Sequence, residues 1–323
     1  MIAGLPVNIA EALQFEISGF PPAEIRQAAE RLSLAYRGNA QITATLTALE
    51  RAAYLAVRFP STFAAANLVW EETARLIPLG DINTVLDAGS GPGTASLAAR
   101  SCVPSATRFT RFERDAGWRD AGDRLAAACG LEGKFQQGAI SRDLNVQPHD
   151  VVVAGYALGE LPAAEREVCI AGLWSRAERA LIVIEPGTPK GFESIRQTRQ
   201  YCLSAGGHAA APCTHDATCP MSGTDWCHRP VRVMRSATHR AAKRAELGYE
   251  DEKFAYIVMT REAPARLAPA RIVRKPIRNA GHLHLDVCGA DGLKRRTVAR
   301  SDGALYRLAR DASWGDLWPP QED

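Results

Sequence analysis

The chain of 323 residues predicts an α/β fold: a doubly wound, mainly parallel sheet, preceded by a helical cap, interrupted by a cysteine-rich insertion and followed by a small, mainly β module. Three observations predict it. The apolar period shifts at Asn83 from helical spacing to short continuous runs. Beyond that point strand-sized runs alternate with helix-like stretches, the pattern of parallel strands joined by helical crossovers. After Pro264 alternating runs follow one another without a long helix between them. The units expected are residues 1–80, 81–263 with the insertion at 201–248, and 264–323.

The elements follow in order. Between Pro21 and Leu79, Ile25, Ala28, Ala29, Leu32 and Leu34 form one helical stripe, and Leu46, Leu49, Ala53, Leu55 and Val57 form another after a break at Gly38–Asn39. Thr62 to Ile77 carries a third. TVLDAGSGPG then reads as a short strand that stops at an acid and enters a glycine turn, with TASLAARS as the helix behind it. RFTRFERD, HDVVVAGYAL and ALIVIEPG read as further strands, with helices over Trp118–Cys129 and Ala163–Arg179 between them. The insertion opens without a period, and a helix is expected over Val231–Leu247. EKFAYIVMTRE resumes as a strand, and RIVRKPI, HLHLDVC, KRRTVAR and ALYRLAR make the β module.

Hydrophobic residues at 46% and charged residues at 23% exclude a disordered chain or a coiled-coil rod. No apolar run approaches the roughly 18 residues that span a bilayer, so no membrane partner is expected. The first 20 residues carry two glutamates, and no basic residue precedes Arg26, unlike a secretory or transit leader, so the chain is expected to stay where it is made. Eight cysteines are too sparse for a disulfide scaffold and are expected reduced. The net charge of +3 is uneven: residues 1–86 hold 6 basic against 8 acidic residues (−2), leaving 33 against 28 (+5). Arg229, Arg232, Arg235, Arg240, Lys243 and Arg244 fall in a stretch without an acid, and residues 261–300 carry ten basic against three acidic residues. On the expected helix, part of the first group shares a face without i+4 acids, which points to RNA phosphate. The tail from Arg266 to Arg300 is the second candidate.

Asp87, Gly89, Ser90, Gly91 and Gly93 follow a strand and open a helix, and Glu113 ends the next strand 24 residues after Gly89. Glycines let the backbone approach a ligand, and an acid at that distance can accept both ribose hydroxyls. Pro92 and the lack of Gly-Lys-Ser/Thr argue against a phosphate-gripping loop. The pattern resembles the class I S-adenosylmethionine-dependent methyltransferases, which implies that these residues, with Tyr156 at the end of a later strand, bind S-adenosylmethionine. That strand ends in AGYALGEL, residues 154–161, not in the Asn/Asp-Pro-Pro-aromatic tetrad of amino-methylating enzymes, so the catalytic residues and the acceptor are unknown. Glu160 and Glu185 could each act as a base or order a loop.

Cys213-x5-Cys219-x7-Cys227 is too widely spaced for paired CxxC knuckles, and thiolates in a loop rich in proline and glycine select zinc or an iron–sulfur cluster. Four ligands are expected, the fourth being Cys288, Cys202, His215 or His228.

EPGTPKGF (185–192), APCTHDATCPMSGTDWCH (211–228), YEDEKFAYIV (249–258), GHLHLDVC (281–288) and WGDLW (314–318) together resemble the methyltransferase-like small-ribosomal-subunit assembly factors of mitochondria and bacteria, over roughly residues 60–320. The resemblance implies a [4Fe-4S] cluster on Cys213, Cys219, Cys227 and Cys288, and association with small-subunit ribosomal RNA in a 30S precursor. DNA is not an expected partner, and a monomer is expected. The absent leader points to the bacterial branch and a cytoplasmic protein. Two functions stand side by side: methylation of that RNA, and a non-catalytic RNA-binding assembly factor stabilised by the cluster. A small-molecule methyltransferase with a zinc site would leave the basic segments without a role.

Overall fold

The computed structural model describes residues 2–37, 45–77, 82–265 and 268–319; the Gly38–Asn39 break, Leu79 and Arg266 lie outside them. The helical cap consists of α1 (Val7–Ser18), α2 (Pro22–Arg37), α3 (Ala48–Val57) and α4 (Phe59–Leu76), preceded by the short strand β1 (Ile2–Ala3). Thr47 starts α3 through a capping box with Glu50, each side chain meeting the other residue's backbone N–H. α4 is apolar around most of its surface because it lies between the rest of the cap and the sheet, and Trp70 Nε1 donates to Ala95 O at 3.1 Å.

β2 (Thr84–Ala88), α5 (Thr94–Cys102), β3 (Arg108–Glu113), α6 (Gly117–Ala128), β4 (Gly133–Gln137), β5 (His149–Gly155), α7 (Ala163–Arg176), β6 (Ala177–Pro186) and α8 (Pro189–Ser204) form the doubly wound unit. β7 (His208–Ala211), β8 (Arg229–Met234), α9 (Ala237–Lys243) and β9 (Tyr249–Thr260) follow. The sheet runs β1-β8-β9-β6-β5-β2-β3-β4. Its centre is parallel, and β9 pairs antiparallel with β6. β7 and β8 share the other edge of β9, β8 along Tyr249–Phe254 and β7 along Val258–Thr260.

The strands are apolar on both faces because both are covered. Val85, Val151, Val153, Ile182 and Phe254 pack toward the cap, α5 and α6, whereas Leu86, Val152, Leu181, Val183 and Ile257 pack toward α7 and α8. β2 neighbours both β3 and β5, so chain order reverses beside it. In such sheets the crevice outside the strand ends at that reversal is where ligands bind.

The module behind the sheet holds β10 (Ala270–Ile272), β11 (Ile277–Asn279), β12 (His282–Gly289), β13 (Gly292–Ala299), α10 (Ala304–Asp311) and β14 (Leu317–Trp318), around a core of Ile272, Leu283, Leu285, Val287, Val298, Ala309 and Trp318.

Two expectations need correction. Val231–Leu247 is not one helix: Arg229–Met234 is strand β8, and only Ala237–Lys243 is helical. Pro-Val-Arg-Val-Met alternates buried Val231 and Val233 with exposed Arg232 and Met234, which is the two-residue period of a half-covered strand. ALYRLAR is a helix, α10, laid over β12 and β13 with Ala309 buried.

Candidate functional site

The glycine turn sits where the sequence places it, at the C-terminal end of β2. Gly89, Gly91 and Gly93 all have positive φ, at +71°, +51° and +85°. A Cβ on Gly89 would lie 2.8 Å from the Ala157 Cβ beyond β5, so only glycine lets the two strand ends approach. A Cβ on Gly91 or on Gly155 would meet nothing within 4 Å, so the crevice between these ends is open. Gly89 N and Ser90 N donate to Phe112 O at 2.7 and 3.2 Å.

Asp87 holds the helix behind the turn: its Oδ2 accepts from Ser96 N and Oγ, both at 2.9 Å. Burial raises its carboxyl to about 7, against the lowering effect of the Ser96 hydrogen bonds. Glu113 lies over the turn, accepting from Gly91 N and Asp115 N, each at 2.9 Å. Each carboxylate oxygen keeps a second lone pair, so these bonds leave capacity for ribose hydroxyls.

Several polar atoms around the crevice are buried without a partner among the described residues: Ser90 Oγ, Thr94 Oγ1, Tyr156 OH, Glu185 Oε2, and Nε and Nη1 of Arg111. A native interior leaves few such atoms, and a cluster of them marks a place where something polar belongs. The donors and acceptors present therefore fit a polar cofactor on the turn. Arg111 was not singled out from sequence, although an arginine at an inward position of RFTRFE is the signal that could have found it. It passes beneath Gly93, and its Nη2 meets Asp123 Oδ1 at 2.5 Å.

The cysteine loop packs against the opposite side of the sheet from the cap. Cys213, Cys219, Cys227 and Cys288 line one cavity of about 50 Å³, together with His215, Arg199 and Arg271. Cys202 is buried elsewhere, on the core-facing side of α8. His215 Nε2 lies 3.8 Å from the Cys288 sulfur, and His228 stacks on Trp226 at 5.2 Å. Burial pushes the Cys213 thiol up, the Cys227 thiol well up and Cys288 to about 12, and the neighbouring sulfurs of the same cavity add to the effect at all three. Among the described residues, no group of three or more His, Cys, Asp or Glu is drawn together as the ligands of a metal ion would be.

Buried guanidinium groups wall this cavity. Arg199 Nη2 donates to His215 O and Ala217 O at 3.0 and 2.6 Å, and its Nε has no hydrogen-bond partner among the described residues. Arg271 donates to Pro212 O and Gly315 O and pairs with Glu72 of α4. Trp226 Nε1 donates to Gly187 O at 3.0 Å, which ties the loop to the turn after β6. None of these arginines was legible as part of a site, since each is distant in sequence from the cysteines.

The six basic residues after the loop are not an unpaired helical face. Arg232 makes two bonds to Asp251 at 2.7 and 2.9 Å and covers the Tyr249 ring. Arg235 and Lys243 converge on Glu250, Arg229 reaches Glu72 at 3.4 Å, and Arg244 reaches Glu30 at 3.7 Å. Only Arg240 lacks an acidic partner among the described residues. Asp251 and Glu250 come from β9, Asp251 directly opposite Arg232 in the ladder, and Glu72 and Glu30 come from α4 and α2, so a search for i+4 partners within one segment cannot find them. In the C-terminal module, by contrast, Arg296, Arg300 and Arg307 are exposed and have no acidic partner among the described residues.

Known proteins resemble the chain as follows. The family described as mitochondrial small ribosomal subunit Rsm22 matches residues 48–319. The human mitochondrial ribosome assembly protein METTL17 is 30% identical over 287 residues, covering 82% of this chain and 62% of that protein. The mitochondrial Rsm22-cox11 tandem protein 2 of Schizosaccharomyces pombe is 24% identical over 288 residues, covering 73% of this chain and 38% of that protein. The chain thus spans less than two thirds of either relative. Among solved structures, a magnesium protoporphyrin IX methyltransferase from Synechocystis is similar with a TM-score of 0.42 at 16% identity, over 63% of this chain and 80% of that one. An O-methyltransferase family protein from Burkholderia thailandensis is similar with a TM-score of 0.43 at 13% identity, over 72% and 71%. The expected bacterial, cytoplasmic location is overturned: the family and both relatives are described as mitochondrial, and the composition of the first 25 residues does not carry the opposite conclusion. With the match running from α3 through β14, the chain belongs to the mitochondrial small ribosomal subunit Rsm22 family.

Proposed function

We propose that the protein is a methyltransferase-fold assembly factor that binds S-adenosylmethionine and acts with small-subunit ribosomal RNA. The observation that carries the cofactor is the glycine turn at the strand-order reversal, with Glu113 above it and unpartnered polar atoms around it. Gly89 to Gly93 would cradle the methionine end and Glu113 the ribose. The link to the small subunit rests on family membership and on the human relative's being a ribosome assembly protein. For RNA contact, the exposed basic side chains of β13 and α10 are better placed than Arg229–Arg244, most of whose charge is neutralised within the protein.

Cys213, Cys219, Cys227 and Cys288 would hold a [4Fe-4S] cluster. The four cysteines line one cavity, which is the observation behind this reading. The unpartnered Nε of Arg199 on the cavity wall suits the net negative charge of such a centre. The cluster's role is structural: it would join the loop to β12.

The test is incubation of 30S precursor RNA with labelled S-adenosylmethionine, beside calorimetry of the cofactor alone. Label in the RNA establishes methyl transfer; cofactor binding without label in the RNA establishes the non-catalytic assembly reading. Absence of binding refutes the pocket. Anaerobically purified protein should be brown, and Cys288→Ser should lose most of the iron. Retained iron in that variant would refute the ligand set.

A further inference from the structure

Four arginines line the cysteine cavity, and three of them have their charge met inside the protein. Arg229 and Arg271 share Glu72, and Arg196 reaches Glu193 at 3.8 Å. Arg199 of α8 has no acidic partner among the described residues, although it is only 5% exposed. Asp216, the acid in the loop segment beside it, is engaged by His208 Nδ1 and Ala209 N at 2.9 and 2.7 Å. A buried guanidinium without a counter-charge is strongly destabilising, and a water molecule in the cavity would complete its hydrogen bonds without neutralising it. The compensating negative charge therefore belongs in the cavity.

The geometry lets this one side chain do two things. Nη2 donates to the carbonyls of His215 and Ala217, which lie between Cys213 and Cys219, and so fixes the course of the chain between two of the thiols. Nε takes no part in those bonds and is buried without a hydrogen-bond partner on the wall of the same cavity. The guanidinium is near enough to Cys213 and Cys288 to act on both sulfurs, one from the loop and one from β12. Because the group is planar and always charged, holding Nη2 on two carbonyls also fixes the direction in which Nε–H points.

We propose that Arg199 is the positioning residue and the counter-charge of the metal–thiolate centre: Nη2 sets the Cys213–Cys219 segment, and Nε–H is offered to a cysteinyl sulfur of the centre. The inference rests on the cluster reading above and adds to it what governs the electronic properties of the site. Four thiolates around a [4Fe-4S] core of charge 2+ leave a net charge of 2−, and one-electron reduction makes it 3− with no proton or ligand exchanged. A fixed positive charge and an N–H donor toward sulfur favour the more negative form, so Arg199 holds the reduction potential up. Arg196, Arg229 and Arg271, each beside its own acid, contribute less.

The experiment is an anaerobic redox titration of the full chain, reconstituted with ferrous iron and sulfide, with dithionite as reductant and the reduced centre followed by electron paramagnetic resonance. Arg199→Gln should lower the ratio of reduced to oxidised centre at a fixed potential by at least about tenfold, a fall of about 59 mV in the midpoint. Arg199→Lys, which keeps the charge and loses the fork, should stay within about threefold of wild type. Both variants lose the clamp on two carbonyls, so an arginine that only shaped the loop would make them alike; recovery of the midpoint by lysine reads the charge. A midpoint unchanged in Arg199→Gln, or lowered equally in both variants, overturns the inference and leaves the cluster reading standing. The wild type supplies a measurement that needs no folded variant: arginine labelled with nitrogen-15 at Nε should show a nitrogen coupling to the reduced centre, and its absence overturns the inference. Wild-type protein that takes up no iron on reconstitution refutes the cluster reading and this inference with it.

Discussion

Glu113 illustrates how much one side chain can be asked to hold. It fixes the glycine turn through Gly91 and the start of the next loop through Asp115, and in the proposed complex it also accepts the ribose. Glu113→Ala should weaken S-adenosylmethionine binding at least about tenfold, as measured by calorimetry, because hydrogen bonds to a charged acceptor are worth about 1.5–3 kcal/mol each. Glu250 is a structural counterpart. Burial opposes its ionisation, but hydrogen bonds from Lys243, Ser61 and Arg235 outweigh this and hold it at about 2. Its contribution to stability is complete above the ordinary value of 4.5 and is lost as the pH falls from there toward 2. Glu250→Gln should therefore cost about 2 kcal/mol in urea unfolding at pH 7, and the difference should shrink below pH 4. The glycines, Glu113 and Cys213, Cys219 and Cys227 were legible because each belongs to a local pattern with its own chemistry, whereas Cys288 stood among four candidates for the fourth position and was singled out only by the family resemblance. Arg111, Arg199 and the second oxygen of Glu185 were not, because what makes them notable is a missing partner, and partners are set by packing.

Among the elements, β8 shows why the basic segment was misread. A run without acids looks unpaired when only its own helix is considered, yet β9 supplies Asp251 and Glu250 from the opposite strand 15 to 19 residues away. The difference has a measurable outcome. Replacing Arg296, Arg300 and Arg307 with Ala should flatten the salt dependence of binding to small-subunit RNA by about two to three contacts, each worth roughly 0.7–0.9 log units per log unit of salt. Arg232→Ala with Arg235→Ala should leave that slope nearly unchanged and lower the thermal midpoint instead. If the second pair flattens the slope and the first set does not, the RNA face lies on β8 and α9 after all. α10 was misread for a related reason: with five apolar positions in seven residues, a short helix and a short strand share one pattern.

At the scale of the molecule, the change of period at Asn83 and the alternation beyond it were enough to predict the doubly wound sheet. The antiparallel edge was harder to read, since β7, β8 and β9 carry no helices between them to signal their order. What binds the units together is also non-local. Glu72 of α4 meets Arg271 of β10, Arg229 of β8 and the Tyr256 hydroxyl of β9, so one carboxylate joins the cap, the sheet and the C-terminal module. Glu72→Gln should cost about 3 kcal/mol, because it leaves the buried Arg271 without a counter-charge. Unfolding followed separately by fluorescence and by limited proteolysis should show the C-terminal module released before the sheet melts; coincident loss of both would place the joint elsewhere.

The position of Cys288 on β12 gives the cavity a place in time as well as in space. Translation delivers Cys213, Cys219 and Cys227 together, and the strand that brings the fourth sulfur emerges only after a further 60 residues have been made. Until then three thiols face an unfinished wall, and α8 with its Arg199 is already in place to receive them. A nascent chain is therefore complete at this site only when the module that carries β12 has been made and has folded back on the loop.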